Sequence, residues 1–529
     1  MVFTGMERFL HHRQREEIRS SLATDYGISL SSGEISVLSS RFLAYLARLH
    51  HASSAALKAA LAADGGWPLH IDASGEDGRG TLLLAFSGWR HWVLGAWKIP
   101  TERADAILPR LREILFRFGK PCAIVRDLGH AMTEAAETLC KDLKLEIPIL
   151  ACHLHFLSDI GKDLLEQGHD QLRELFRKAK LRSHLRTLAR CLGRNLGQDI
   201  DSARAELRRW QCQSGQEQRL PSGLAGIATV RALTQWILDY AADTSGNGFP
   251  FDLPWLAFYD RCLQGMSALK QFLSEPPEDP AVHRALERLQ RILRPIETCG
   301  FSDVVDRLAW RAGLFDELRK ALRLREASSR GKRGTAHCDQ TVNELKDISA
   351  AVRRLARSLR RRRPKRGPAG DRRNAIDIVL SHLHKHGRFL WGRVIKLPEN
   401  VGGVIRVVDR TNNAIETQFH VMKHGERRRS GRKILTQDFE MLPPPAALAG
   451  NLLHSDYVSI VCGSLDKLPE AFARLDSKAG HKGKSSVANI RDSETASLSG
   501  ADRKLVRAQE MTERVIEAAR MGLLKKEIA

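Results

Sequence analysis

The segment from Trp67 to Leu165 constrains the fold more than any other part of this 529-residue chain. Its first part, GWPLHIDASGEDGRGTLLLAFSGWRHWVLGAWKIP, reads as three short strands: Trp67 to Asp72, Thr81 to Phe86 and His91 to Ile99. A Ser/Gly/Glu/Asp turn separates the first two. A helix is predicted from Arg103 to Phe118, because Ile107, Leu108, Leu111, Ile114, Leu115 and Phe118 recur at helical spacing. KPCAIVRD then reads as an apolar strand closing on Asp127, MTEAAETLCKDL as a helix, LEIPILACH as a strand, and residues 154–165 as a further helix. Consecutive strands need only hairpins, whereas strands separated by helices return through crossovers. The expected fold is α/β, with a mixed sheet in which the first and fourth strands are neighbours.

In this reading Asp72 and Asp127 each close an apolar strand. Such an aspartate is ordinarily a turn or cap residue, but ligands of open sheets also approach beyond strand ends. Far downstream, DRTNNAIETQFHVMKHGERRRSGRK sets Glu416 ahead of Lys423, Arg427, Arg428, Arg429, Arg432 and Lys433. One reading is a solvated charged helix; the other is a metal ligand beside a phosphate-binding surface. Three carboxylates brought together stay ionised only when cations neutralise them, and oxygen ligands suit Mg²⁺ or Mn²⁺. Asn412 and Asn413 suit a helix start, with Asn413 three residues before Glu416 in capping-box spacing.

These motifs resemble those of the DDE transposases of bacterial insertion sequences. LHIDASG looks like the first catalytic aspartate motif and AIVRDLGHAM like the second, while TNNAIETQFHVMKHGERRRSGRK resembles the glutamate helix. ACHLH, with Cys152 and His155, is similar to the C/D-x-x-H signature of the Mutator and hAT-like branches, which carry a large helical insertion before the glutamate. The resemblance covers residues 68–165 and 410–433. It implies a ribonuclease-H-like core interrupted by a mainly helical insertion. It also implies Asp72, Asp127 and Glu416 as catalytic residues and ligands of two Mg²⁺ or Mn²⁺ ions, which clamp an in-line phosphoryl transfer. The implied partners are double-stranded DNA, at element ends and target, and a second copy of the chain, at least a dimer on DNA. Lys423, Arg427, Arg428 and Arg432 are then backbone contacts. Cys152, His155 and Asn413 are candidate supporting groups, although a plain buried cysteine and a helix-start histidine fit the same pattern.

Charge agrees with a polyanionic partner: 84 basic against 62 acidic residues leave a net +22. The densest run, RRLARSLRRRRPKRG, holds Arg353, Arg354, Arg357, Arg360, Arg361, Arg362, Arg363, Lys365 and Arg366, read as DNA-backbone contacts. Trp391 is either a core residue or a base-stacking platform. With no long apolar run and no C-x-x-C pair among nine cysteines, the expectation is a soluble protein without a zinc ribbon, cytoplasmic and nucleoid-associated. The expected division is a helical region at 1–64 compatible with a helix-turn-helix, the first part of the catalytic domain at 65–166, and a helical insertion at 167–400. Catalytic completion at 401–476, a linker at 477–500 and a C-terminal helix at 501–529 follow. A metal-dependent nuclease without joining activity, and a non-catalytic DNA-binding protein derived from a transposase, are the alternatives.

Overall fold

The structure is a computed structural model describing residues 1–76, 79–194, 208–209, 226–275, 277, 279–298, 300–324, 341–367 and 369–480. The described residues of Met1–His155 and from Arg388 onward form one compact unit, and those of Phe156–His337 and Asn343–Gly387 form another.

The first unit is built on five strands: β1 (Pro68–Glu76), β2 (Arg79–Ser87), β3 (Trp92–Lys98), β4 (Ala123–Arg126) and β5 (Ile149–Ala151), in the order β3-β2-β1-β4-β5. The first three are antiparallel neighbours, and β4 pairs in parallel with both β1 and β5. The expected mixed sheet is therefore present, with its first and fourth strands adjacent. Helices α5 (Ala104–Phe118) and α6 (His130–Asp142) make the two crossovers.

Asp72 departs from the expectation. It does not close β1, because β2 continues to pair alongside, Asp72 opposite Leu84 and Ser74 opposite Leu82. Only the parallel neighbour stops early, at His70 opposite Val125. A turn-rich sequence extends as a strand here because its backbone groups keep their antiparallel partners.

Alternation along the strands sorts the two faces of the sheet. Leu69, Ile71 and Ile124 join a large core with Ile107 and Leu111 of α5 and Met132 and Leu139 of α6. Val125 belongs instead to a smaller cluster with Leu150 and Val408. The N-terminal region, expected to be helical, forms α1 (Val2–Phe9), α2 (Arg15–Tyr26), α3 (Ser32–Ala52) and α4 (Ser54–Ala63). Ser31 and Glu34 make a reciprocal capping box at α3, the Ser31 hydroxyl accepting from the Glu34 amide at 3.2 Å and Glu34 accepting from the Ser31 amide at 2.8 Å. Phe42, Leu46 and Leu49 of α3 enter the same core as the sheet.

A small antiparallel hairpin, β6 (Val394–Lys396) with β7 (Ile405–Val407), stands beyond Arg388. Arg393 before it is buried and donates to the carbonyls of Leu390, Asp409 and Ala151, tying the end of β5 to the chain that leads into the next helix.

The second unit is helical among its described residues, as expected for the insertion. It takes up most of α7 (His153–Lys178), then α8 (Leu181–Gly193) and helices including Pro254–Ser274, Phe301–Ala321, Val342–Arg362 and Gly370–His386. Arg311, nearly buried, donates to the Leu164 carbonyl at 2.9 Å and pairs with Asp371 at 2.6 Å, linking three of these helices. Residues 481–529, which include most of the expected linker and the expected C-terminal helix, lie outside the described residues. No helix among the described residues is long and apolar enough to cross a membrane.

Replacing Arg393 by Met should take this donor from the Asp409 and Ala151 carbonyls and cost on the order of 2 kcal/mol. The measurement is the thermal midpoint, and an unchanged midpoint would mean the guanidinium is dispensable.

Candidate metal centre

The β1–β4 register brings the two predicted aspartates to one place. His70 and Val125 are the last parallel pair, and Asp72 and Asp127 each lie two residues further on. Asp72 is 6% exposed and accepts from the Ala73 amide at 2.8 Å. Asp127 is half-buried and accepts from the Gly129 amide at 3.1 Å, just ahead of α6. Glu416 stands on the first turn of the helix Asn413–Ser430, here called the glutamate helix.

These carboxylates feel one another. Burial pushes the Asp72 carboxyl up to about 7, and Asp127 and Glu416 add to the rise, while His155 and the Ala73 amide oppose it. The three carboxylates predicted from sequence thus share one electrostatic neighbourhood.

Glu416 also belongs to a second, tighter group. Ligand atoms of Cys152, His155 and Glu416 all lie within 4.8 Å of one another. His155 Nε2 is 3.6 Å from Glu416 Oε1, and both Glu416 Oε1 and His155 Nδ1 are buried atoms without a hydrogen-bond partner. Burial disfavours protonation of His155, but Cys152, Asp72 and Glu416 together outweigh it and raise the imidazole above its ordinary value. A sulfur, a nitrogen and a carboxylate oxygen at this spacing could hold a metal ion, and they form a candidate metal-coordinating site. His153 is no part of it: its Nε2 donates to the Leu390 carbonyl at 2.9 Å, and burial keeps the ring neutral.

Asn412 sets the position of the glutamate helix. It is fully buried, its side-chain amide donates to the Ile71 carbonyl at 3.1 Å, and its backbone amide donates to Cys152 Sγ at 3.3 Å. That orientation leaves its carbonyl oxygen as acceptor for His70 Nδ1 at 3.1 Å. Burial lowers the His70 pKa to about 3, so a neutral ring supplies this proton. The expected capping box is not formed. Asn412, not Asn413, is the N-cap, and its side chain bonds to β1 instead of the helix, because it is buried against the strand. Asn413 is the first helical residue and is half-buried.

The predicted basic residues are placed unevenly. Lys423 donates to the Gly75 carbonyl at 2.6 Å and pairs with Glu76 at 3.2 Å, and Arg427 pairs with the same carboxylate at 3.0 Å. Both therefore fasten the glutamate helix to the end of β1. Arg432 pairs with Asp438 at 3.1 Å, Arg429 is buried against Glu426, and Arg428 is exposed. Trp391 packs edge-on against His153, with ring centroids 5.7 Å apart. The arginine run lies in the helical unit. There Arg362 pairs with Glu317 at 2.6 Å and Arg363 with Asp377 at 2.6 Å, while Arg353, Arg354, Arg360, Arg361, Lys365 and Arg366 are exposed.

Sequence reasoning missed Asn412 as a positioning group, and with it His70 and Glu76. The signal for His70 was its place two residues before Asp72, on the same face of a strand. Glu76 had no such signal. The chain matches no protein-family model and no curated protein.

Asn412→Ala should cost about 2–3 kcal/mol by leaving Ile71 and His70 unpaired. It should also speed amide exchange in the first turns of the glutamate helix. Unaltered exchange there would show that other contacts hold Glu416.

Proposed function

We propose that the chain is a DDE-type DNA transposase, cutting DNA at the ends of an insertion sequence and transferring them to a target. What supports this reading is that Asp72 and Asp127 each lie two residues beyond the last β1–β4 pair, and that Asp72 feels the charges of Asp127 and Glu416. The β3-β2-β1-β4-β5 order and the helical insertion before the glutamate helix support it as a ribonuclease-H-like arrangement.

The donor chemistry suits divalent cations. Burial, with the charges of Asp127 and Glu416 added, raises Asp72, and Glu416 keeps a buried oxygen without a hydrogen-bond partner, both of which a cation would relieve. Asp72, Asp127 and Glu416 would hold two Mg²⁺ or Mn²⁺ ions, which supply activation of water or a DNA 3′-hydroxyl and charge neutralisation at the leaving oxygen. The chain's own residues prepare that chemistry. Asn412 holds the glutamate helix at β1, and Lys423 and Arg427 brace it through Glu76. His155 offers positive charge beside Glu416, where a phosphate would arrive. The exposed arginines of the helical unit supply sequence-independent attraction to DNA backbone. Assembly of at least two copies on DNA, in the cytoplasm and on the nucleoid, belongs to the same proposal.

The Cys152–His155–Glu416 grouping favours one competing reading, a single softer ion used for hydrolysis without joining. Two measurements separate them. In a two-plasmid mobility assay with the gene's own flanking DNA around a marker, the wild type should move the marker. Glu416→Gln should reduce movement to background while still binding DNA, and equal movement by both would remove Glu416 from the site. In a purified cutting assay, Cys152→Ser should keep Mg²⁺-supported cleavage within about tenfold of the wild type. A Zn²⁺-supported cleavage abolished by Cys152→Ser, with no joined product, would favour the hydrolytic reading.

A further inference from the structure

Asn412 holds the start of the glutamate helix and Glu76 its middle, and the turn between α1 and α2 seats on its last turns. The Gln14 side-chain amide donates to the Arg428 carbonyl at 3.2 Å, and Arg429 donates to the Arg8 carbonyl at 3.1 Å. The Arg429 guanidinium also lies over the Phe9 ring, 5.1 Å from its centroid.

Two backbone features make this seat specific. Gly425 sits inside the 18-residue glutamate helix, where glycine is unfavourable relative to alanine. A Cβ built there would overlap the His12 ring, so the glycine is a notch that admits this imidazole. His12 itself takes a left-handed backbone conformation, φ +54°, uncommon for a residue with a side chain.

The seat is crowded with cationic groups. Arg8, His11, Arg13 and Arg15 come from the N-terminal side, and His424, Arg428 and Arg429 from the glutamate helix. The carboxylates nearby are already engaged, Glu7 by Arg13 at 2.9 Å, Glu17 by the Gln14 amide at 2.7 Å and Glu426 by Arg429. His12 Nδ1 stands 3.4 Å from the Arg429 guanidinium. Arginine only donates, so Nδ1 is the acceptor and the single ring proton sits on Nε2. The contact therefore exists only while the imidazole is neutral. A second ring proton would remove the acceptor and set two cations against each other. Burial drives the His12 pKa down to about 4, and Arg429, His424, Arg428 and His11 push the same way.

We propose that the α1–α2 turn is a proton-sensitive latch on the glutamate helix, closed while neutral His12 fills the Gly425 notch and released when His12 is protonated. The latch depends on neither the metal centre nor the transposase reading. Linkage gives its direction. A histidine whose pKa is lower when seated than when free stabilises the seat above about pH 6.5, and that stability is lost as pH falls toward 4.

The test is amide exchange of the full chain, read peptide by peptide between about pH 7.5 and about pH 4.5 and corrected for the intrinsic rate. In the wild type, opening of residues 8–14 and 425–430 should rise about tenfold per pH unit below about pH 6.5, one proton for each opening. The first turn of the glutamate helix and strands β1 and β2 should stay protected, which separates release from general acid unfolding. Gly425→Ala should leave both segments exchanging fast at neutral pH, with no slope. His12→Asn tolerates the left-handed backbone and cannot titrate, so its profile should be flat whatever its level. His11→Gln and His424→Gln should keep the slope. A wild type without the slope overturns the latch, as does a slope that survives His12→Asn or disappears with His11→Gln or His424→Gln. Gly425→Ala as well protected as the wild type overturns the notch.

Discussion

A buried amide holds the candidate site together. Asn412 joins β1, through Ile71 and His70, to Cys152 at the end of β5, and it does so at the first residue outside the glutamate helix. All of these groups are shielded from water, so each bond lost would leave a desolvated donor or acceptor. This makes the connection stiff. Glu416 comes within 3.6 Å of His155 and into the field of Asp72 because the residue four positions earlier has only one place to go.

The electrostatics of the site follow from that convergence. Bringing carboxylates from β1, from the end of β4 and from the glutamate helix into a desolvated corner is unfavourable, and the raised Asp72 pKa is the measure of it. Two compensations are built in. His155, its pKa raised by Cys152, Asp72 and Glu416, lies 3.6 Å from Glu416, and Glu76 draws Lys423 and Arg427 to the other end of the same helix. The second has a consequence for the basic motif. Part of the positive charge that looked available to DNA is spent on holding the helix in place, whereas the exposed arginine stripe of the helical unit is not paired in this way.

Much of this was legible from residue patterns. The hairpin and crossover order of the sheet followed from the spacing of apolar runs, and the adjacency of the first and fourth strands followed from that order. The basic insertion was legible from helical periodicity. The end of β1 was misplaced because SGEDG has turn composition, while pairing with β2 carries the backbone through Asp72 to Glu76. The asparagine pair was read as a cap from local spacing, but Asn412 bonds to a strand more than three hundred residues earlier in the chain. Local propensity is blind to such a partner.

The sequence by itself determined the order of elements, the strongly basic character and the small set of carboxylates worth considering, because these depend on composition and on contacts within a few residues. Only the tertiary structure decided which groups meet. It set Glu416 beside the Cys152–His155 group and in the field of Asp72, gave Lys423 and Arg427 to Glu76, and seated His12 against Gly425. The physical reason is the same in each case. Burial and charge pairing act between groups close in space, and closeness in space is settled by how distant segments pack.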